Sequence, residues 1–178
     1  MHGFKRLLLV FALLFLIAGS AHAAADYWFS PLTAVAVGPA GPPSVLSVSP
    51  LVPGPSTAIM VTSDQIVEEN DFQWVLLGLT LPSGASGKIK YVKICYQVET
   101  SSSGTYISQV RLTKMTTPDV AIVIHDDPTD LTETVPTCYE SSVKKKKVSG
   151  TITLALKMVF ASTDDVIRIG GVKLRVSK

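Results

Sequence analysis

The chain has 178 residues, with 16 lysines and arginines against 14 aspartates and glutamates and a formal net charge of +2. Two of the basic residues, Lys5 and Arg6, precede an apolar run, so the remainder is electrically balanced and lacks the basicity that a nucleic-acid partner requires. Hydrophobic residues at 47% and charged ones at 17% describe a chain that packs rather than one that stays disordered.

Residues 1–23 read as a secretory signal peptide. Met1–Arg6 is a positive start, Leu7–Ile17 an unbroken apolar run, and Ala21-His22-Ala23 a small-residue cleavage site. The run is short for a bilayer span, and no later apolar stretch reaches that length. The expected product begins at Ala24, carries no membrane span, and is secreted, extracellular or, in a bacterium, periplasmic. An oxidising destination makes Cys95 and Cys138 a disulfide pair. The lone asparagine, Asn70, is followed by Asp71-Phe72, so no N-glycosylation acceptor is present.

Residues 24–56 form a proline-rich N-terminal arm. Asp26–Leu32 is an aromatic cluster, a candidate exposed stacking or docking patch weighed against an arm folded onto the domain, and the folded arm is preferred because adjacent large apolar groups are usually buried. Pro39, Pro42, Pro43, Pro50, Pro53 and Pro55 forbid helix and interior strand. The interspersed Val45, Leu46, Val48, Leu51 and Val52 predict an extended arm along the domain, part polyproline-like and part edge strand.

Residues 57–178 read as strands joined by turns. Ala58–Thr62 is short and apolar. Ser63–Asn70 is polar, with room for one helical turn. Phe72–Leu81 is apolar on both faces and predicts a strand covered on both sides. Lys88–Glu99 is the centre of the pattern. Val92, Ile94, Tyr96 and Val98 alternate with Lys93, Cys95, Gln97 and Glu99, a half-buried strand. Ile89 and Tyr91 are out of phase, which predicts a β-bulge or a late strand start near Tyr91.

Further strands follow at Tyr106–Thr113, Val120–Ile124 and Val135–Val143, with His125–Thr134 a polar loop. Thr151–Ala161 alternates most cleanly, with Ile152, Leu154, Leu156, Met158 and Phe160 on one side. Val166–Val176 changes phase at Gly170-Gly171, read as a bulge in one strand in preference to a hairpin. About eight strands with short connections predict an all-β fold, an antiparallel β-sandwich of the jelly-roll or immunoglobulin-like kind. Both tryptophans precede Cys95, so the immunoglobulin order of cysteine, tryptophan, cysteine is absent.

The strand pattern refines the disulfide. If Val92, Ile94, Tyr96 and Val98 face the core, Cys95 faces outward. If Tyr139 faces inward, Cys138 faces outward too. Both thiols then share an outer face, as a cross-strand bridge requires, and the two tyrosines lie beneath.

Catalytic constellations are scarce. His125 is the only histidine beyond residue 23, no Gly-x-Ser-x-Gly elbow or phosphate loop is present, and no Cys/His spacing suits zinc. The densest polar stretch holds Asp126, Asp127, Asp130 and Glu133. Carboxylates at this density suit calcium. They are also ordinary turn residues beside Pro128, and that reading is preferred. No cofactor is therefore expected, with calcium the one candidate. Lys144, Lys145, Lys146 and Lys147 are a candidate polyanion contact, weighed against a solvated turn that resists edge pairing. Interleaved aromatics that would favour nucleic acid are missing. The expected function is a non-enzymatic secreted module, binding a glycan, a surface or a protein, or structural. The alternative is a small secreted hydrolase using carboxylates of the segment Asp126–Glu133.

Overall fold

The computed structural model describes residues 24–38, 44–51, 58–83, 85–100, 104–117, 120–144 and 147–177. Residues 1–23, where the sequence predicts a signal peptide, lie outside them, as do Lys145 and Lys146.

The described residues form twelve strands and a single 3-10 turn at Pro31–Thr33. In chain order the strands are β1 (Ala25–Phe29), β2 (Val35–Val37), β3 (Leu46–Pro50), β4 (Ile59–Ser63), β5 (Trp74–Thr80), β6 (Ser86–Glu99), β7 (Tyr106–Thr117), β8 (Val120–Asp127), β9 (Thr137–Ser142), β10 (Lys147–Ser149), β11 (Thr151–Val159) and β12 (Val166–Ser177). The eight strands read from the sequence are β4 to β9, β11 and β12. Four short ones join them: β1, β2 and β3 from the N-terminal segment, and β10, which begins at Lys147, the last lysine of the run.

Two antiparallel sheets pack face to face as a β-sandwich. The five-stranded sheet runs β2-β5-β11-β7-β8. The seven-stranded sheet is built on the adjacent long strands β6 and β12. Both β9 and β10 pair with β6, while β1 and β4 pair with β12, and β3 extends the sheet beyond β4. Gly150, with φ at +79°, is the single residue between β10 in one sheet and β11 in the other, a conformation that favours glycine.

The core follows from a period of two. Ile152, Leu154, Leu156 and Met158 of β11, with Phe160 beyond it, are all fully buried against Val92, Ile94 and Val98 of the opposite sheet's β6 within one apolar cluster. Both phase changes are bulges. Lys90 is the extra residue between Ile89 and Tyr91, so Ile89 turns into the core and Tyr91 outward. Gly170-Gly171 supplies the extra residue in β12, opposite Cys95.

Three expectations change. The outer face of β5 is not covered by another layer: Trp74 and Leu76 are half-buried, Gly78 and Thr80 exposed, and the Arg111 guanidinium lies over Trp74, 5.0 Å from its ring centre. Between Ser63 and Asn70 there is no helix. Val67 instead bridges Phe160 and is buried, followed by a tight turn in which Asp71 N donates to Glu68 O at 3.0 Å. His125, Asp126 and Asp127 belong to β8 rather than to a loop, because pairing with β7 continues through them.

Candidate functional site

The outer face of the seven-stranded sheet carries an ordered aromatic and cationic surface assembled from three distant segments. On β1, Asp26 and Trp28 point outward while Ala25, Tyr27 and Phe29 are partly buried. Register places Trp28 opposite Lys173 and Asp26 opposite Arg175, and Arg175 in turn opposite Tyr91. The Lys173 ammonium lies 5.3 Å from the Trp28 ring centre and 5.2 Å from that of Tyr91, and the Arg175 guanidinium 5.9 Å from Tyr91. Asp26 binds Lys173 at 3.2 Å and Arg175 at 3.7 Å. With its side chain only 13% exposed, Lys173 acts as a cationic strut between two rings. The Lys173 ammonium, and then Arg175, hold the Tyr91 hydroxyl below its ordinary range.

Trp28 itself is 60% exposed. Its ring lies on Gly171: a Cβ there would come within 3.1 Å of the indole. The bulge therefore provides a bare backbone floor for the ring. Replacing Gly171 by Ala is expected to leave the fold intact and tilt the indole, read as a change in tryptophan fluorescence and in the near-ultraviolet circular dichroism. An unchanged signal would count against the floor.

Beside this platform the face sinks into an apolar hollow of about 310 Å³, lined by Leu51, Ala58, Pro136, Arg168, Gly170 and the disulfide. Cys95 and Cys138 are bonded and directly paired in the β6–β9 ladder, on the outer face. Tyr96 is buried and Tyr139 half-buried beneath them, as the alternation predicts.

The polar residues singled out in the sequence are divided by the structure. On β8, Asp126 makes a two-point contact with Arg111 at 3.2 and 2.9 Å and accepts from Gln109. Asp127 accepts from Tyr139 OH at 2.8 Å, from Thr129 N at 3.1 Å and Oγ1 at 2.7 Å, and from the buried Ser141 hydroxyl. Ser141 receives His125 Nε2 at 2.7 Å. Because Ser141 donates to Asp127, it accepts from the Nε2 hydrogen of His125. This chain fastens β8 of one sheet to β9 of the other. It contains Ser, His and Asp, but in an order unlike a nucleophilic triad: the serine hydroxyl donates to the carboxylate, and the histidine donates to the serine instead of accepting from it.

Asp130 and Glu133 are exposed, in a segment held by paired Leu131–Ile107 backbone bonds and by Val98 N donating to Glu133 O at 2.9 Å. Among the described residues no group of three His, Cys, Asp or Glu side chains gathers to hold a metal. An open hollow of about 570 Å³ between the β8 and β9 edges joins His125, Asp126 and Asp127 to Glu140 and Lys144. Lys147 lies on β10, exposed, between the buried Val143 and Val148 and the turn at Gly150.

Acid should weaken the β8–β9 fastening in two stages. Burial lowers the His125 pKa, outweighing the nearby Asp127 and Asp126. The unfolded chain then takes up a proton that the folded one refuses, so stability falls as pH drops below about 6.5 and levels off below the folded value. For Asp127, burial raises the pKa, but hydrogen bonds from Ser141, Thr129 and Tyr139 more than offset it, and the net shift is downward. Its contribution persists through mild acid and is lost as pH falls through that depressed value. Urea midpoints between pH 8 and 3 should show both stages, and His125→Gln should remove only the first.

No family model and no curated protein matches the chain. Solved structures are similar at low identity. They include a GH26-CBM35 β-(1,4)-mannanase of Podospora anserina, at 14% identity and a TM-score of 0.48 over 86% of this chain. The chain spans 28% of that protein's length. A family 29 carbohydrate-binding module of Piromyces equi is 12% identical, with a TM-score of 0.45, covering 88% of each chain. A family 35 carbohydrate-binding module of Clostridium thermocellum is 10% identical, with a TM-score of 0.45, over 84% of this chain and 97% of its own. The class of the protein is an antiparallel β-sandwich with an aromatic outer face. Among the described residues no helix is long and apolar enough to cross a membrane.

Proposed function

We propose that this protein is an exported, non-enzymatic binding module that holds a glycan on the outer face of its seven-stranded sheet. The observation that carries the reading is Trp28, a large ring left mostly open to solvent yet held flat by Gly171 and Lys173. An exposed ring fixed before binding loses little freedom when a sugar's C–H face stacks on it. Asp26, Arg175 and the Tyr91 hydroxyl stand beside it to exchange hydrogen bonds with sugar hydroxyls, and the neighbouring hollow extends the surface. Export through residues 1–23 fits the disulfide, which persists outside the reducing cytosol.

The test is affinity electrophoresis and calorimetry of the exported protein against a panel of plant, fungal and bacterial glycans. Trp28→Ala should weaken binding by about 2 kcal/mol, or about thirtyfold, with an unchanged melting temperature. Phe72→Ala, which removes another exposed ring away from this face, should change nothing. Equal binding by the Trp28 variant would refute the site.

The hollow joining Asp126, Asp127 and Glu140 supports a second reading, the secreted hydrolase. Against it stand the engaged states of the groups: Asp126 is tied to Arg111, and Asp127 to four donors. Release of reducing ends from a bound glycan, abolished by His125→Ala with the fold retained, would decide for the hydrolase.

A further inference from the structure

We infer that the ligand of this face is an acidic polysaccharide, a polymer of uronate or sulfated sugars; this deepens the glycan reading and rests on it. One pair of residues on this sheet is not favoured by folding alone. Lys88 of β6 lies directly opposite Lys147 of β10, both exposed. Like charges directly opposed across a ladder destabilise it. Neither ammonium has an ion-pair partner among the described residues. Lys90, the bulged residue, is exposed beside them, and Lys93 is the next outward residue after Tyr91.

These lysines continue the Trp28–Lys173–Tyr91 platform. Lys88 lies three residues from Tyr91 along β6, about 10 Å at strand spacing. Beyond residue 23 the chain as a whole is balanced in charge, so the excess of cations here is a segregation onto one face. A polyanion relieves the Lys88–Lys147 repulsion when it binds, and the positive field speeds its arrival.

The acids on the same face favour sugar over nucleic acid. Asp26 is taken up by Lys173 and Arg175 and Glu99 by Arg168, while Glu140 stands opposite Lys93 with its carboxylate exposed. Carboxylates accept hydrogen bonds from hydroxyl groups, which an acidic sugar offers between its charges. A phosphodiester backbone offers them only repulsion.

The experiment compares polygalacturonate, dextran sulfate, cellohexaose and single-stranded DNA as probes of the exported protein. The expected result is preference for an acidic polysaccharide, with binding weakened about tenfold between about 50 and about 500 mM salt. The polymer preferred identifies carboxylate or sulfate. Lys88→Gln with Lys147→Gln should cost about tenfold for the acidic polymer. The same double variant should melt at an equal or higher temperature, because a repulsion is removed. Salt-independent binding of cellohexaose as tight as that of either acidic polymer, unaffected by the double variant, would overturn this inference and leave the glycan reading standing. DNA binding as tight as that of the acidic polymers and indifferent to Trp28→Ala would overturn it in favour of a general polyanion surface. Binding to no glycan at all would remove both.

Discussion

Replacing Cys95 and Cys138 together by alanine is expected to lower stability by about 4 kcal/mol and the melting temperature by about 10 °C. The two residues are 43 apart in sequence and directly paired in the β6–β9 ladder. The intervening chain leaves the seven-stranded sheet, forms β7 and β8 in the other sheet, and returns. The bond therefore closes an excursion through both layers, and the unfolded chain without it regains the freedom of that whole loop. Little packing is lost in the exchange, since Cys138 is exposed and Cys95 only half-buried. The double variant thus isolates the cross-link from the core. Without it, β9 is held by its ladder to β6 and by the Asp127 bonds from Tyr139 and Ser141, so the variant should fold. Urea unfolding of oxidised wild type, reduced wild type and double variant should put the last two together, about 4 kcal/mol below the first. A loss under about 1 kcal/mol would mean the unfolded loop is already constrained.

What the sequence disclosed is the direction of each side chain within a strand. Ile152, Leu154, Leu156, Met158 and Phe160, like Val92, Ile94, Tyr96 and Val98, are all buried as their alternation predicts, although Ala155 and Val159 between them are buried as well. The same regularity exposed the bulges, because Ile89 breaks phase with Val92 and Gly170-Gly171 breaks it within β12. Alternation also placed both cysteines outward, and pairing them fixed one register between distant strands. Elsewhere, a period of two says nothing about which strands lie side by side. Trp28, Tyr91 and Lys173 come from positions far apart and meet only because β1 and β6 flank β12. A faint signal was present in the paired i, i+2 patterns, Asp26 with Trp28 and Lys173 with Arg175. Its meaning depends on the register between them.

Other features were hidden for different reasons. The lysine run was visible, but its most telling member, Lys147, acquires significance from Lys88, which the sequence places in another strand. For β5, apolar residues on both faces suggested burial on both. Trp74 and Leu76 instead remain half-exposed, since one long cation, Arg111, is enough to shelter an indole on an open face. The link from His125 through Ser141 to Asp127 crosses between sheets, a relation that no single-strand pattern encodes.

Phe160→Ala is expected to cost about 4 kcal/mol, near the upper end for a buried aromatic. Phe160 is fully buried and is the last inward residue of the β11 alternation. What sets the cost is whether the surroundings can close over the space left behind. Here they cannot move freely. The Phe160 backbone exchanges two hydrogen bonds with Val67, at 3.0 and 2.9 Å, which pins the crossing segment above it. The next residue, Ala161, donates its N–H to Thr105 Oγ1 at 2.9 Å, and Thr105 in turn donates to the fully buried Asp165. Backbone on both sides of the ring is therefore anchored, and the cavity persists as a void. Phe160→Leu, which keeps most of the volume, should cost only about 1.5 kcal/mol. Urea midpoints of the two variants should separate accordingly, with the slope of each transition unchanged. An alanine variant as stable as the leucine one would mean that the Val67 crossing collapses onto the core after all, and the anchoring assigned to Val67 and Thr105 would be wrong.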